Sequence, residues 1–245
     1  MKYLFLDINR NNYMSSFAEK VIAFYSGLEY SGKLPAGISI MNPFRENPEV
    51  LSVISAFYRK YYSDNRPRRI ILGINPGRFG AGATGIPFTD TVRLREKCGL
   101  SIRGIKTHET SSVFIYEMID RYGGPEKFYS DYFISSVSPL GFTKTGSSGN
   151  EINYNYYDSR ELSEAILDFA VESINKQLSF GVDTEICFCL GAGKNFRFLS
   201  KLNSEFHFFE RIEPLEHPRF IMQYKSKQKN FYIESYIEKL RDNQF

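Results

Sequence analysis

The run Arg69-Ile70-Ile71-Leu72-Gly73-Ile74-Asn75-Pro76-Gly77 changes character halfway along its length. Its first part is short, apolar and rich in β-branched residues, as a strand buried on both faces must be, and Asn75-Pro76-Gly77 is a turn signal. Working outward, helical periodicity covers residues from about 12 to 30 and from 46 to 63, the second with Val50, Leu51, Val53, Ile54 and Phe57 on one face. Downstream, a helix is predicted over 110–122, stopping at Gly123-Gly124-Pro125, and a strand over Tyr132–Val137. Residues 143–157 are rich in Gly, Ser, Thr, Asn and Tyr and read as a surface loop. An amphipathic helix follows over 158–178, then a strand over Glu185–Leu190, a helix through Leu202, a strand over Phe206–Ile212 and a closing helix over 227–243. His207 falls inside that last strand.

Strands alternating with helices of this length require crossover connections, which parallel neighbours need and hairpins do not. The expectation is an α/β chain: one three-layer α/β/α domain over 1–245 with a central, mostly parallel four-stranded sheet. Residues 1–65 form a helical N-terminal part and 66–245 the core. In such sheets ligands bind beyond the carboxyl ends of the strands, so the polar turns after the strands are where chemistry is sought.

Composition excludes several classes. Hydrophobic residues at 42% and charged residues at 24% are near globular averages and suggest neither disorder nor a fibrous architecture. Three cysteines, Cys98, Cys187 and Cys189, are too few for a disulfide framework or a four-cysteine cluster, and Cys187 and Cys189 share one strand face as core fillers. The opening MKYLFLDINRNN is too short in its apolar run for a signal segment, and no stretch reaches membrane-spanning length, so a cytoplasmic protein is expected. The net charge of +3 permits nucleic-acid binding without demanding it. Two local clusters, Arg66, Arg68 and Arg69, and Lys225, Lys227 and Lys229, can touch phosphates or form solvated faces. Gly191-Ala192-Gly193-Lys194-Asn195 lacks the spacing of a phosphate loop; a helix N-terminus explains it and leaves Lys194 free to meet a DNA phosphate.

The full run Gly73-Ile74-Asn75-Pro76-Gly77-Arg78-Phe79-Gly80-Ala81-Gly82-Ala83-Thr84-Gly85-Ile86-Pro87-Phe88 is far more specific than an isolated Asn-Pro-Gly. It resembles the first catalytic motif of the single-strand-selective monofunctional uracil-DNA glycosylases, within the uracil-DNA glycosylase superfamily. Glu216-His217-Pro218-Arg219 resembles that superfamily's second motif, which begins His-Pro. Between them, Glu109–Tyr116, Gly124–Tyr129 and Ser138-Pro139-Leu140 follow in the family's order. The resemblance runs from about residue 70 to the C-terminus and is poor over the helical first third.

What the resemblance implies is an enzyme that flips a damaged base out of DNA and hydrolyses its bond to the sugar, without lyase activity, cofactor or metal, and as a monomer. It assigns Asn75 to hold the attacking water, His217 to donate to the base oxygen as negative charge develops, and Phe88 to stack on the extruded base. Gly73, Ile74, Pro76, Gly77, Phe79 and Ser136 complete the base pocket. Arg78, Lys194, Arg219, Phe220, Met222 and Lys225 are the DNA-facing set. Phe88, Asn75 and His217 must then surround one common cavity.

Two departures stand out. Ser136 occupies the position where the family places a base-reading asparagine, and a rotating hydroxyl cannot make the paired donor and acceptor contact of a planar amide. The expectation is a broader or shifted range that includes deaminated purines such as xanthine or hypoxanthine. After His217-Pro218 the family has a small, proline-containing loop that wedges into the duplex. This chain instead has Arg219-Phe220-Ile221-Met222-Gln223-Tyr224, whose Phe220 and Met222 either wedge between bases or enter the core. The alternatives to a glycosylase are a degenerate member that recognises altered bases without cutting, and a small-nucleotide hydrolase on the same scaffold.

Overall fold

The computed structural model describes residues 15–146 and 148–242. The Met1–Asn12 run and the ends of the first and last predicted helices lie outside them. The strands are β1 (Ile38–Met41), β2 (Arg68–Gly73), β3 (Tyr132–Ser136), β4 (Gly141–Thr145), β5 (Glu151–Tyr154), β6 (Val182–Leu190) and β7 (Arg211–Leu215). Four of them form a sheet in the order β3-β2-β6-β7, and every pairing in it is parallel. All residues of β2 and β3 are buried, so both faces of the sheet centre are covered and the architecture is a layered α/β fold. β7 contains Pro214, which a central strand would not tolerate and an edge strand does.

The helices before the sheet are α1 (Phe17–Ser26), α2 (Pro43–Glu46) and α3 (Pro48–Tyr61). They build an aromatic layer in which Phe17 packs edge-on to Phe133 of β3 and stacks on Tyr62. Arg68 is 1% exposed, with its guanidinium 5.0 Å from the Phe17 ring centroid and 4.8 Å from that of Tyr62. It donates to Tyr129 O at 2.8 Å and pairs with Asp64 at 2.9 Å. The Arg66, Arg68 and Arg69 cluster is therefore no phosphate patch: Arg69 is also buried, beside Asp183, and Arg66 pairs with Asp64. A guanidinium survives burial only with its donors satisfied, and here aromatic faces supply the rest of its surroundings.

Between β2 and β3 lie α4 (Ala81–Thr84), α5 (Thr91–Cys98), α6 (Thr110–Tyr122) and α7 (Pro125–Asp131). α6 falls where the periodicity places it. Pro125, expected to end a helix, occupies the first turn of the next one, where its missing N–H is harmless. The predicted 158–178 helix is α8 (Arg160–Ala165) and α9 (Leu167–Leu178), divided at Ile166. The remaining helices are α10 (Lys194–Phe206), α11 (Pro218–Tyr224) and α12 (Lys229–Asp242).

Two expectations are corrected. Residues 143–157 are not an irregular loop: β4 and β5 form a hairpin that pairs with β1 in a small antiparallel sheet. Across the hairpin Phe142 pairs with Tyr154 and Lys144 with Ile152, and the polar residues among them leave no apolar alternation to read. The last strand also runs over Arg211–Leu215, not 206–212. Phe206 ends α10 and His207 is its left-handed cap at φ 52°, while the Asn203 amide holds Phe209 through both its N–H and its C=O, at 2.8 and 2.9 Å. The aromatic run through the helix cap, with only Phe208 and Phe209 of it buried, imitated a strand, and the shift brings Glu216-His217 directly onto the carboxyl end of β7. Cys187 and Cys189 are buried in β6, as core fillers should be. Among the described residues no helix is long and apolar enough to cross a membrane.

Candidate active site

The chain moves from β2 to β3 on one side and returns to β6 on the other, so the direction of winding reverses beside β2. A crevice opens at such a point beyond the strand ends. A cavity of about 650 Å³ occupies it. Val137 N donates to Gly73 O at 3.0 Å and Ser138 N to Ile74 O at 3.1 Å, which extends the β2–β3 ladder past the strands and carries Ile74, Asn75 and Ser136 to the cavity wall.

The glycine run after Asn75 folds on itself: Gly80 N and Gly82 N both donate to Gly77 O, at 3.1 and 2.9 Å. Thr84 Oγ1 then accepts from Ile86 N and donates to Thr89 O, closing the loop around Phe88. Phe88 sits at φ 52°, a conformation that costs a non-glycine residue about 1–2 kcal/mol. Its ring lies over Gly73, where a Cβ would come within 2.9 Å of Cε2, and 5.8 Å from the His217 ring. Only glycine at position 73 lets the ring lie there.

Asn75 is held by its amide. Oδ1 accepts from Tyr156 N at 3.1 Å, and Nδ2 donates to Tyr154 O at 3.2 Å and Pro76 O at 3.4 Å. Tyr156 is anchored in turn, its hydroxyl donating to Asn195 Oδ1 at 2.5 Å while Asn195 Nδ2 donates to Leu190 O at 2.9 Å. The end of β5 and the segment after it are thus a strap that orients the Asn75 carboxamide, whose Oδ1 keeps a second lone pair for another donor.

His217 caps α11. Its Nδ1 accepts from Arg219 N at 3.1 Å, so in the neutral ring the proton sits on Nε2. Burial, reinforced by the Arg219 charge, pushes the imidazole down to about 4. At neutral pH the ring is an uncharged Nε2–H donor.

Asn75, Phe88 and His217 line this one cavity together with Ile74, Pro76, Gly77 and Ser136. Lys194, Arg219 and Phe220 stand on its wall as well. The other sequence candidates lie elsewhere. Gly73 stands behind Phe88; Phe79 is 49% exposed with the Arg78 guanidinium 5.1 Å from its ring; Met222 packs on the core; Lys225 is exposed. The segment after His217 is a helix rather than a loop, so Phe220 projects at 39% exposure beside Tyr224 while Ile221 enters the core.

Comparison with known proteins shows the family. Residues 59–241 match the Uracil DNA glycosylase superfamily. The chain belongs to that superfamily. A solved structure titled "The crystal structure of WT Pedobacter heparinus SMUG2" is 55% identical, covering 94% of this chain and 98% of that one, with a TM-score of 0.91. A comparison with curated proteins found no match. As a superfamily member the chain is a DNA glycosylase of base excision repair, a hydrolase of N-glycosyl bonds.

The cavity also has polar walls that sequence reasoning did not single out. Asn153, Asn155 and Tyr157 come from the strap, in the stretch read as a loop, and Asn153 Oδ1 accepts from Arg78 N at 3.0 Å. Glu109 and Ser111 come from the start of α6. Burial pushes the Glu109 carboxyl up to about 7, against the hydrogen bond from Ser112. The only signal for Glu109 was its place in a motif whose order resembled the family; nothing local distinguished it from a helix N-terminal acid.

Proposed function

We propose that this glycosylase extrudes a deaminated base from DNA into the cavity between Phe88 and His217 and hydrolyses its N-glycosidic bond. Asn75 holds the attacking water on the free lone pair of Oδ1. Phe88 stacks on the extruded base. His217 donates its Nε2–H to the base oxygen that becomes anionic as the bond to the sugar breaks. A donor aimed at a developing oxyanion is worth about 10²–10³ in rate. A neutral donor serves that purpose well, because it has no charge to lose to solvent before the base arrives.

The observation that carries this reading is the convergence of these three side chains, from two motifs far apart in the chain, on one cavity. Arg219 and Phe220, at the start of α11 on the rim, fill the space the nucleotide leaves in a duplex, and Lys194 and Lys225 meet phosphates. Met222, packed on the core, is left out of the wedge. Lys194, the lysine on the cavity wall, holds its ammonium 5.7 Å from the Tyr157 ring centroid, and the enzyme is monofunctional. Borohydride trapping of a covalent DNA adduct would count against that.

Ser136 sets the range. A hydroxyl acts as donor or acceptor as required, so uracil, xanthine and hypoxanthine are all substrates. The test presents single- and double-stranded oligonucleotides carrying uracil, 5-hydroxymethyluracil, xanthine or hypoxanthine, followed by alkaline cleavage. Base release lost in Asn75→Ala and His217→Ala supports the reading, and Ser136→Asn narrows the range toward uracil. Binding to lesion-bearing DNA without release by the wild-type protein would favour a recognition protein instead.

A further inference from the structure

Building on that assignment of Asn75 and His217, the site still needs a group to receive the proton that the attacking water must lose. Asn75 is a carboxamide and accepts no proton at neutral pH. His217 is excluded as well, since Nδ1 is occupied by the Arg219 N–H and Nε2 already carries a proton. The hydroxyls of Ser111 and Ser136 are no bases. Among the described residues, the carboxylates on the cavity wall are Glu109 and Glu216. Glu216 adjoins His217, on the side where the base departs.

Glu109 stands on the other side, against the glycine run. A Cβ on Gly77 would lie 3.1 Å from Glu109 Oε1 and 3.6 Å from Asn153 Nδ2. The missing side chain lets a carboxyl oxygen and an amide nitrogen close onto the backbone of the run, two residues from Asn75. A Cβ on Gly80 would overlap the same carboxyl, at 2.8 Å from Cδ. The two carboxyl oxygens are also distinguished. Ser112 Oγ accepts from Asp90 N at 3.1 Å, so its own proton turns to Glu109 Oε2 at 3.2 Å. Oε2 is thereby occupied, and Oε1 stands against Gly77 with no such donor on it among the described residues.

We infer that Glu109 Oε1 is the proton acceptor of the reaction, taking a proton from the water that Asn75 positions. The water oxygen bonds to the sugar C1′ as the C1′–N bond breaks. The bonding pair leaves on the base, whose anion is stabilised by the His217 Nε2–H. One water proton passes to Glu109 and from there, through solvent, to the departed base, leaving a sugar hydroxyl and a neutral base.

The charged groups facing Glu109 are Asp90, at the N-terminus of α5, which opposes its ionisation, and Arg219, on α11, which favours it. Asp90 is itself committed: Oδ2 accepts from Glu109 N at 2.7 Å, Oδ1 from Arg93 N at 2.8 Å, and the Arg93 guanidinium and His108 lie 3.3 and 3.9 Å from it. With burial, these place the carboxyl near 7, where a base is both available and strong enough to work.

Single-turnover base release from a uracil oligonucleotide tests this. In the wild type the rate should rise with pH to a plateau, with a midpoint near 7. Glu109→Gln keeps the shape and the Ser112 contact, and should lose about 100-fold or more in rate and the pH rise, with DNA affinity unchanged. Glu109→Asp should recover part of the rate, and added formate should restore Glu109→Ala. A wild-type rate in Glu109→Gln, or a flat wild-type profile between about pH 5.5 and 8.5, would overturn the assignment while leaving the glycosylase reading intact. A wild-type protein releasing no base from any oligonucleotide would overturn the glycosylase reading itself, and this inference with it.

Discussion

Phe88 is held at φ 52° between Gly73 and His217, and that strain gives a quantitative handle on its role. For an L-residue the left-handed conformation costs about 1–2 kcal/mol, and glycine does not incur it. Against this, glycine loses about 0.4–1 kcal/mol more chain entropy on folding than alanine does. Subtracting the central values leaves Phe88→Gly more stable than Phe88→Ala by roughly 0.8 kcal/mol, the reverse of the usual order. Both variants lose the ring face, and stacking on a base is worth about 1–3 kcal/mol. Base release at sub-saturating enzyme should therefore fall about 5- to 150-fold in each, equally, whatever their stabilities. Urea midpoints give the first comparison and single-turnover cleavage the second. An alanine variant as stable as the glycine variant would show that the backbone is not strained there. Near wild-type release from both would show that the ring does not carry the base, and the placement of strain at a functional residue would lose its reason.

Three further outcomes follow from the same geometry. The His217 imidazole has a folded value of about 4, below its ordinary 6.5, so the unfolded chain binds the proton more readily. Its contribution to stability is whole above about pH 6.5 and is lost as pH falls toward 4, by about 2–3 kcal/mol; denaturation of His217→Gln at pH 7 and 4.5 should show that much less acid sensitivity than the wild type, and parallel curves would refute it. Gly80→Ala places a methyl against the Glu109 carboxyl, so single-turnover release should fall about 10- to 100-fold while the protein stays folded by circular dichroism; an unchanged rate would place the carboxyl outside the reaction. Arg219→Ala removes the charge that favours ionised Glu109, so the midpoint of the pH–rate profile should move upward, with duplex substrates losing more rate than single strands; a fixed midpoint and equal losses would remove both roles.

The parts of this site that were legible in the sequence are those whose chemistry imposes a local backbone requirement. Asn75 must leave a buried strand through a turn, so it sits in Asn-Pro-Gly; Phe88 needs a ring packed on bare backbone, so Gly73 stands beneath it. His217 needs its Nδ1 occupied, and the proline after it starts the helix whose Arg219 N–H does so. The strands β2 and β3 and the helix α6 were legible for a similar reason, since their apolar patterns match the period of the element that buries them. Glu109 has no such mark. As a sequence feature it is an acid before a helix, and its character comes from Gly77 and Gly80, Asp90, Ser112 and Arg219, which only the fold brings together. Arg68 fails in the opposite direction: a charged run reads as solvated until Phe17 and Tyr62, from the helical N-terminal part, close over it. The strap that orients Asn75 was hidden because its contacts are made by backbone groups of Tyr154 and Tyr156, which no side-chain pattern encodes. A residue's type marks what it can do, but burial decides which proton it holds at neutral pH, and burial is a property of residues distant in the chain. For that reason His217 could be named from its motif, whereas its neutral state, and the half-ionised carboxyl of Glu109 opposite it, emerge only with the tertiary structure.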